Sequence, residues 1–386
     1  MQERNFWTEE LSKWLESQKE EEDLGKFFAG QETLAEETRQ AGSKELRTII
    51  DTGQIEDYKI LEELGQGADA RIYKARKDGL DYIIKVPLTD GESKTRLKNE
   101  MDISIKIKWL TPKKMENGWR QTPHIIQMHD CRKGDLTFAV LELLEKQIER
   151  TYKKTGKTIA LAVPDNAANQ GQHSTRVALY AWDTLHALEF MHSMDIAHRD
   201  VKHQNAMATH RNGKLASVLF DLGTAVDLTH EEAIRTAKIT GTPAYLPKKT
   251  VMDFWKYHSN GGFYSSCPLN RTKLILKRGD YGALAHSIVH LLTGIPPYSI
   301  SNVDGEPTSV FDTCDTNIGF INTILNYPGD PINYDSIRAQ MHGDMFAKVV
   351  ERLLDPLIAS RTELDGVRLL LEEGMNMEGL FTKYRE

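Results

Sequence analysis

The sequence predicts an α+β fold in two lobes, a small β-rich one followed by a larger, mainly helical one, with a helical extension in front. Three observations carry this reading. Between Tyr58 and Val86 apolar residues recur with the period of strands, interrupted by a pair of glycines and a tight turn. Beyond residue 174 the period becomes helical twice, in Ala178, Ala181, Trp182, Leu185, Leu188 and Met191, and again in Tyr281, Leu284, Ala285, Ile288, Leu291 and Leu292. A chain of 386 residues is also long for one simple core and suits one bilobal domain of about 300 residues plus an extension.

Composition narrows the class further. A hydrophobic share of 40% and a charged share of 27% are those of a soluble globular protein. No run approaches the roughly 18 apolar residues of a membrane helix, so no membrane span is expected. The N-terminus, with Glu3, Glu9 and Glu10 around Phe6 and Trp7, does not read as a signal peptide. Cys131, Cys267 and Cys314 are scattered, which suggests neither a disulfide framework nor a metal knuckle; a reducing, cytoplasmic location is expected. Of the net charge of −7, residues 1–55 hold −6, from thirteen acids against seven bases. The remaining −1 leaves no broad basic face for nucleic acid.

The elements follow in order. In the acidic extension, residues 1–55, Trp7, Leu11, Trp14 and Leu15 fall at helical spacing after Thr8, an expected N-cap. Two tryptophans on one face imply that residues 1–50 dock on the body of the protein or on a partner. The small lobe, 56–144, starts with a strand leading to Gly65-Gln66-Gly67-Ala68-Asp69-Ala70. Arg71 to Ala75 is a second strand, Lys77-Asp78-Gly79 a hairpin turn, and Tyr82 to Val86 a third strand. Glycines let backbone N–H groups come close to phosphate oxygens. A helix is expected over Ser93 to Leu110, a polar insert over 111–123, and strands near Ile125 to His129 and Leu136 to Leu144.

The large lobe, 145–386, opens on a polar stretch, Lys146 to His173, read as a loop with a short helix. Ser174 or Thr175 then caps a helix that ends at His198-Arg199-Asp200-Val201-Lys202-His203-Gln204-Asn205. Phosphoryl transfer needs a carboxylate to accept a hydroxyl proton, a cation for the charge on the phosphate, and a metal ligand. Asp200, Lys202 and Asn205 supply one of each within six residues. The amide oxygen of Asn205 is a hard donor suited to Mg²⁺, and Lys202 is a mobile point charge. Lys214 to Phe220 reads as a strand that delivers Asp221-Leu222-Gly223, and an insert is expected at about 252–277. Asp280 opens the next helix, ended by Gly294-Ile295-Pro296-Pro297-Tyr298; His286 and His290, four apart without a third ligand, read as helix-face histidines.

The loop at 198–205, the glycine pair followed by a strand with Lys85, Asp221-Leu222-Gly223 and Gly241-Thr242-Pro243-Ala244-Tyr245-Leu246 together resemble the eukaryotic-type (Hanks-type) serine/threonine protein kinase superfamily. The resemblance implies transfer of the γ-phosphoryl group of ATP to Ser or Thr of a protein substrate, with Mg²⁺ (or Mn²⁺) as the ion. It makes Asp200 the catalytic base, with Lys202 and Thr242 beside it. Asn205 and Asp221 become the metal ligands. ATP then falls to Gly65, Gly67, Ile72, Ile83, Lys85 and Glu100, with Leu141 as gatekeeper, Glu142 and Leu143 in the hinge, and Met207 as the pocket floor. Glu100 is the acid implied to pair with Lys85, and Glu92 is its rival. Asp280 is implied to tie down the backbone of the loop at 198–205.

Two departures from the family pattern stand out. Ile83 occupies the position of an alanine that lies against adenine, and Pro247-Lys248-Lys249 stands where Ala-Pro-Glu is usual, leaving Arg361 without its customary glutamate. On these grounds a pseudokinase or scaffold, and a kinase-fold transferase acting on a non-protein substrate, stay open as alternatives.

Overall fold

A computed structural model describes residues 43–67, 69–116, 124–144, 146–147, 167–211, 214–237, 239–258, 267–301, 307–311, 317–328, 330–355, 358 and 361–376. The helix expected around Trp7 to Leu15 lies outside them. The chain divides into two compact units: the described residues of Met1–Lys98 with His129–Leu141, and those of Asn99–Met128 with Glu142–Glu386.

The first unit is a six-stranded sheet in the order β1-β2-β3-β4-β6-β5, built from β1 (Gln54–Ile55), β2 (Tyr58–Gln66), β3 (Ala70–Lys77), β4 (Leu80–Pro87), β5 (Met128–Arg132) and β6 (Phe138–Glu142). β3 and β4 pair in register from Ala70↔Pro87 to Lys77↔Leu80. Their two-residue connection is Asp78-Gly79, both with positive φ (51° and 78°), the geometry whose twist matches that of the flanking strands. Ahead of the sheet, α1 (Lys44–Thr52) is capped by Ser43, whose Oγ accepts from Leu46 N at 3.2 Å. Gly53 ends it in the left-handed conformation with its N–H on the Ile49 carbonyl. Leu46 and Ile49 share one core with Ile55, Tyr58, Tyr73, Ala75, Ile84, Val86, Phe138 and Val140. The end of the acidic extension is thus folded against the sheet.

In the second unit α3 (Ala167–Ser193) and α6 (Leu269–Thr293) form the centre, packed with α9 (Gly343–Leu354) and α10 (Arg361–Asn376). The stripes read from periodicity are the buried faces, since Leu185, Leu188, Leu284, Ile288 and Leu292 are all within 1% of complete burial. The intervening helices are α4 (Glu231–Arg235), α5 (Lys248–His258), α7 (Asn317–Asn326) and α8 (Tyr334–Arg338).

Several boundaries differ from expectation. α3 begins at Ala167, so Ser174 and Thr175 lie inside it rather than at its cap. His173 Nε2 bonds the Leu291 carbonyl at 2.8 Å and Ser174 Oγ donates to the Met341 carbonyl, tertiary partners that let a polar stretch stay helical. α6 likewise starts eleven residues before Asp280, because Thr272, Ile275 and Leu276 are buried, the last two in a second cluster with Val226, Leu228, Ile234 and Phe254. The stretch expected as an insert is therefore mostly helix: Met252 to His258 belongs to α5, Leu269 onward to α6, and 259–266 fall outside the described residues. α2 (Glu92–Glu116), which begins in the first unit and continues in the second, runs through Pro112 instead of stopping at Leu110. Ile125 makes one parallel bridge to Leu219, and the strand expected there starts at Met128. No described helix is long and apolar enough to cross a membrane.

Ile49 is 6% exposed in α1. Ile49→Ala is expected to destabilise the protein by about 2–4 kcal/mol, read from the denaturant midpoint; an unchanged midpoint would mean that α1 is not part of this core.

Candidate active site

The loop at 198–205 leaves β8 (Ile196–Ala197) and ends in a 3₁₀ turn at His203–Asn205, and Asp280 holds its start. Asp280, 1% exposed, accepts the backbone N–H of His198 (2.8 Å) and of Arg199 (2.7 Å), and His192 Nε2 at 2.8 Å. Burial pushes this carboxyl up, yet the His192 and backbone hydrogen bonds outweigh it and hold it below the ordinary carboxylate value. The same burial pushes the His192 imidazole down, so the pair is a carboxylate and a neutral donor. The hold is needed because Arg199 has φ +71°, a conformation a non-glycine residue keeps only when its surroundings fix it.

That geometry presents Asp200 to three partners. Its Oδ1 accepts both the N–H and the hydroxyl of Thr242, each at 2.8 Å. Its Oδ2 accepts from Asn205 Nδ2 (2.9 Å) and faces Lys202 Nζ (3.0 Å). Lys202 Nζ also donates to Thr242 Oγ1 at 2.5 Å. The resemblance implied this contact between the Thr242 hydroxyl, Asp200 and Lys202, and the structure contains it. Asn205 Nδ2 donates to the Asp200 carbonyl as well, which leaves Oδ1 as the amide atom without a protein hydrogen bond among the described residues.

Asp221 follows β10 (Lys214–Leu219), which pairs with β9 (Ala206–Arg211), so that the strand leaving Asn205 runs beside the strand arriving at Asp221. Phe220 N–H donates to the Asn205 carbonyl at 2.9 Å, and Asp221 itself has φ +64°. Beyond it, the Gly223 and Ala225 carbonyls accept Asn99 Nδ2 (3.1 and 2.9 Å), and Thr224 Oγ1 donates to the His198 carbonyl. Among the described residues no group of three or more His, Cys, Asp or Glu is placed to hold a metal. Mg²⁺ does not require one: it keeps waters and substrate phosphate oxygens and takes one or two protein oxygens. An available amide oxygen at Asn205 and a carboxylate at Asp221 fit that demand.

The remaining expected residues divide between the units. In the first, Gly65 pairs with Ile72 across β2–β3, Gly67 N–H donates to the Ala70 carbonyl, and Ile72 lies opposite Lys85. Ile83 and Lys85 share one face of β4, both half-buried, while Ile84 and Val86 point into the core. Leu141 is buried. In the second unit Glu100 is 2% exposed, whereas Glu92 is three-quarters exposed and pairs with Arg96, so Glu92 is the solvent-facing one of the two. Glu142 exchanges backbone and side-chain hydrogen bonds with Gln127, Leu143 is exposed, and Met207 is half-buried on β9 opposite Val218.

Sequence reasoning quoted Gly241 without giving it a role. Its φ is +108°, and a Cβ there would lie 2.4 Å from the Arg199 carbonyl oxygen, so only glycine lets this segment reach Asp200. A second missed group is Tyr245, whose hydroxyl meets His290 Nδ1 at 2.7 Å and takes Gln204 Nε2 at 3.1 Å. Its ring stacks on His290 and edges His203. Pro247-Lys248-Lys249 is anchored differently from a glutamate–arginine pair. The Pro247 ring fills the space a Cβ at Gly282 would need, Lys248 Nζ donates to the Tyr327 carbonyl (2.8 Å), and Lys249 pairs with Asp253. Tyr298 Oη secures the Leu246 carbonyl from behind. The Arg361 side chain lies outside the described residues.

A carboxylate, an ammonium and an amide gathered on one loop are the set of groups that the protein kinase class carries. The protein kinase domain family matches residues 58–355, and the chain belongs to that family, within the eukaryotic-type superfamily. It is similar to the serine/threonine-protein kinase ATG1 of Kluyveromyces marxianus, 24% identical over 245 residues, which is 54% of this chain and 28% of that protein. The chain thus spans less than a third of that relative's length. Protein kinases in general use ATP with a divalent metal and act on proteins.

Two outcomes test this geometry. Gly241→Ala is expected to lower transfer activity at least about tenfold and to cost about 1–3 kcal/mol, through strain at positive φ and contact with Arg199; kinetics and a melting curve that match the parent would refute the contact. His286 is fully buried beneath the segment, and burial lowers its imidazole to about 4. The unfolded chain then binds the proton first, so stability is complete above about pH 6.5 and declines from there towards pH 4, by up to about 1.4 kcal/mol per pH unit. In His286→Phe that part of the pH dependence of the melting temperature should flatten.

Proposed function

We propose that the chain is an active Mg²⁺- and ATP-dependent kinase that transfers the γ-phosphoryl group to Ser or Thr hydroxyls of a protein substrate. One observation carries the reading: all four lone-pair positions of Asp200 are engaged by Thr242, Asn205 and Lys202, with a hydroxyl in one of them. The Thr242 hydroxyl occupies the kind of position an attacking Ser or Thr hydroxyl requires. A substrate hydroxyl displaces it: its oxygen bonds the γ-phosphorus of ATP while the bond from that phosphorus to the bridging oxygen breaks and ADP leaves, and the hydroxyl proton passes to Asp200. Lys202, already 3.0 Å from the carboxylate, moves its charge onto the transferred phosphoryl group.

Asn205 and Asp221 are the residues that would hold Mg²⁺, which when bound neutralises charge on the phosphate oxygens. For ATP the proposed contacts are the backbone at Gly65 and Gly67, the Lys85 ammonium oriented by Glu100, the apolar side chains of Ile72, Ile83, Leu141 and Met207, and the backbone at Glu142 and Leu143. Thr242 supports Ser or Thr as acceptor. A second reading, a scaffold without catalysis, draws on Ile83, whose branched side chain shares the Lys85 face of β4.

Purified protein with labelled ATP, Mg²⁺ and a generic basic protein substrate decides between them. Asp200→Ala is expected to lose on the order of 10²-fold or more in rate, and Asp221→Ala to abolish the metal dependence. A parent protein no more active than Asp221→Ala would overturn the protein-kinase reading and leave a scaffold or a transferase with a non-protein acceptor.

A further inference from the structure

Glu45 reads in the sequence as one more acid of an acidic extension. In the structure its side chain is completely buried, in the first turn of α1. Oε1 accepts the Thr137 backbone N–H and faces Lys94 Nζ at 3.2 Å, while Oε2 is buried and has no hydrogen-bond partner among the described residues. Lys94 lies in the first turn of α2, with a side chain 15% exposed, and reaches the Asp135 carbonyl (3.4 Å) and Asp90 Oδ1 (3.5 Å) as well. Thr137 immediately precedes β6. Around this pair, of which Glu45 alone is fully buried, Arg47 faces Asp90 and Lys44 faces Asp135, both at 3.7 Å on the surface.

A buried charge with one unsatisfied oxygen is a weak way to stabilise a fold, because desolvation offsets much of the attraction. It is a strong way to fix geometry, because neither partner leaves without stranding the other. Here it fixes three pieces together: α1, the turn that starts β6, and the first turn of α2. Through Leu46 and Ile49 the same α1 packs on the core that includes Ile84 and Val86, the residues flanking Lys85 on β4. Six residues beyond Lys94, α2 carries Glu100.

We propose that α1 sets the position of α2 for phosphoryl transfer, with Glu45 and Lys94 as positioning residues that act through Glu100. This rests on the reading of the chain as an ATP-dependent kinase. Neutralising Lys94 frees the first turn of α2 from α1, and the effect on the reaction appears in the placement of Glu100.

The test uses the full chain and the variants Lys94→Met and Lys94→Arg, each alone and combined with Glu100→Gln. Activity is measured well below every melting temperature, together with hydrogen exchange over residues 92–100. Lys94→Met is expected to speed exchange in α2 and to lower kcat/KM for ATP about tenfold, the scale of a sub-ångström misplacement. Lys94→Arg, which keeps the cation, should restore most of the loss. On top of Glu100→Gln, Lys94→Met should add less than about twofold, since residues acting through one contact are not additive. A melting-temperature change with parental exchange and kinetics, or full additivity with Glu100→Gln, overturns the proposal and leaves the kinase reading intact. An inactive parent chain removes both.

Discussion

The arrangement around Asp200 depends on one buried carboxylate. Asp280 stands in the middle of α6, one of the two central helices of the second unit, and receives the backbone N–H groups of two consecutive residues, one of them in a left-handed conformation. Those N–H groups have no regular secondary structure to satisfy them, and a carboxylate supplies both acceptors at once. Its own charge is held by His192, which burial keeps neutral and donating. Without that charge in that place, Arg199 has no reason to keep its strained backbone, and Asp200 has no fixed direction.

From there the order of construction runs outward. α3 and α6 supply an apolar floor, and the strand pair β9–β10 brings Asn205 and Asp221 to the same end of one hairpin. The segment from Gly241 to Lys248 closes over the loop by contacts that are local and mixed in kind: a glycine against a carbonyl, a threonine on a carboxylate, a tyrosine between histidines, a proline ring on a glycine. Polar groups do the specifying, and the apolar helices beneath keep them rigid.

Much of this is legible in the residues, for identifiable reasons. The loop at 198–205 can be read because its functional groups are contiguous, and Thr242 because its neighbours form a compact motif. Helix interiors can be read from spacing, as the burial of Leu185, Leu188 and Ile288 bears out. Helix starts are another matter: α3 and α6 begin well before their expected caps because His173, Ser174 and Thr272 find burial or partners far away in sequence. Glu45 is the clearest case, since an acid in an acidic stretch gives no local sign of being enclosed. What decides its burial is a backbone N–H and an ammonium that arrive from residues 137 and 94.

Arg199 and Gly241 form a single joint made of two residues that each hold positive φ, with the carbonyl of one in the space where the other would carry a Cβ. Such a joint ties the two positions together unequally: any side chain added at 241 meets the carbonyl at 199, whereas residue 199 is constrained in its backbone and not in its side chain. A change at 241 is therefore accommodated only if the bend at 199 moves with it.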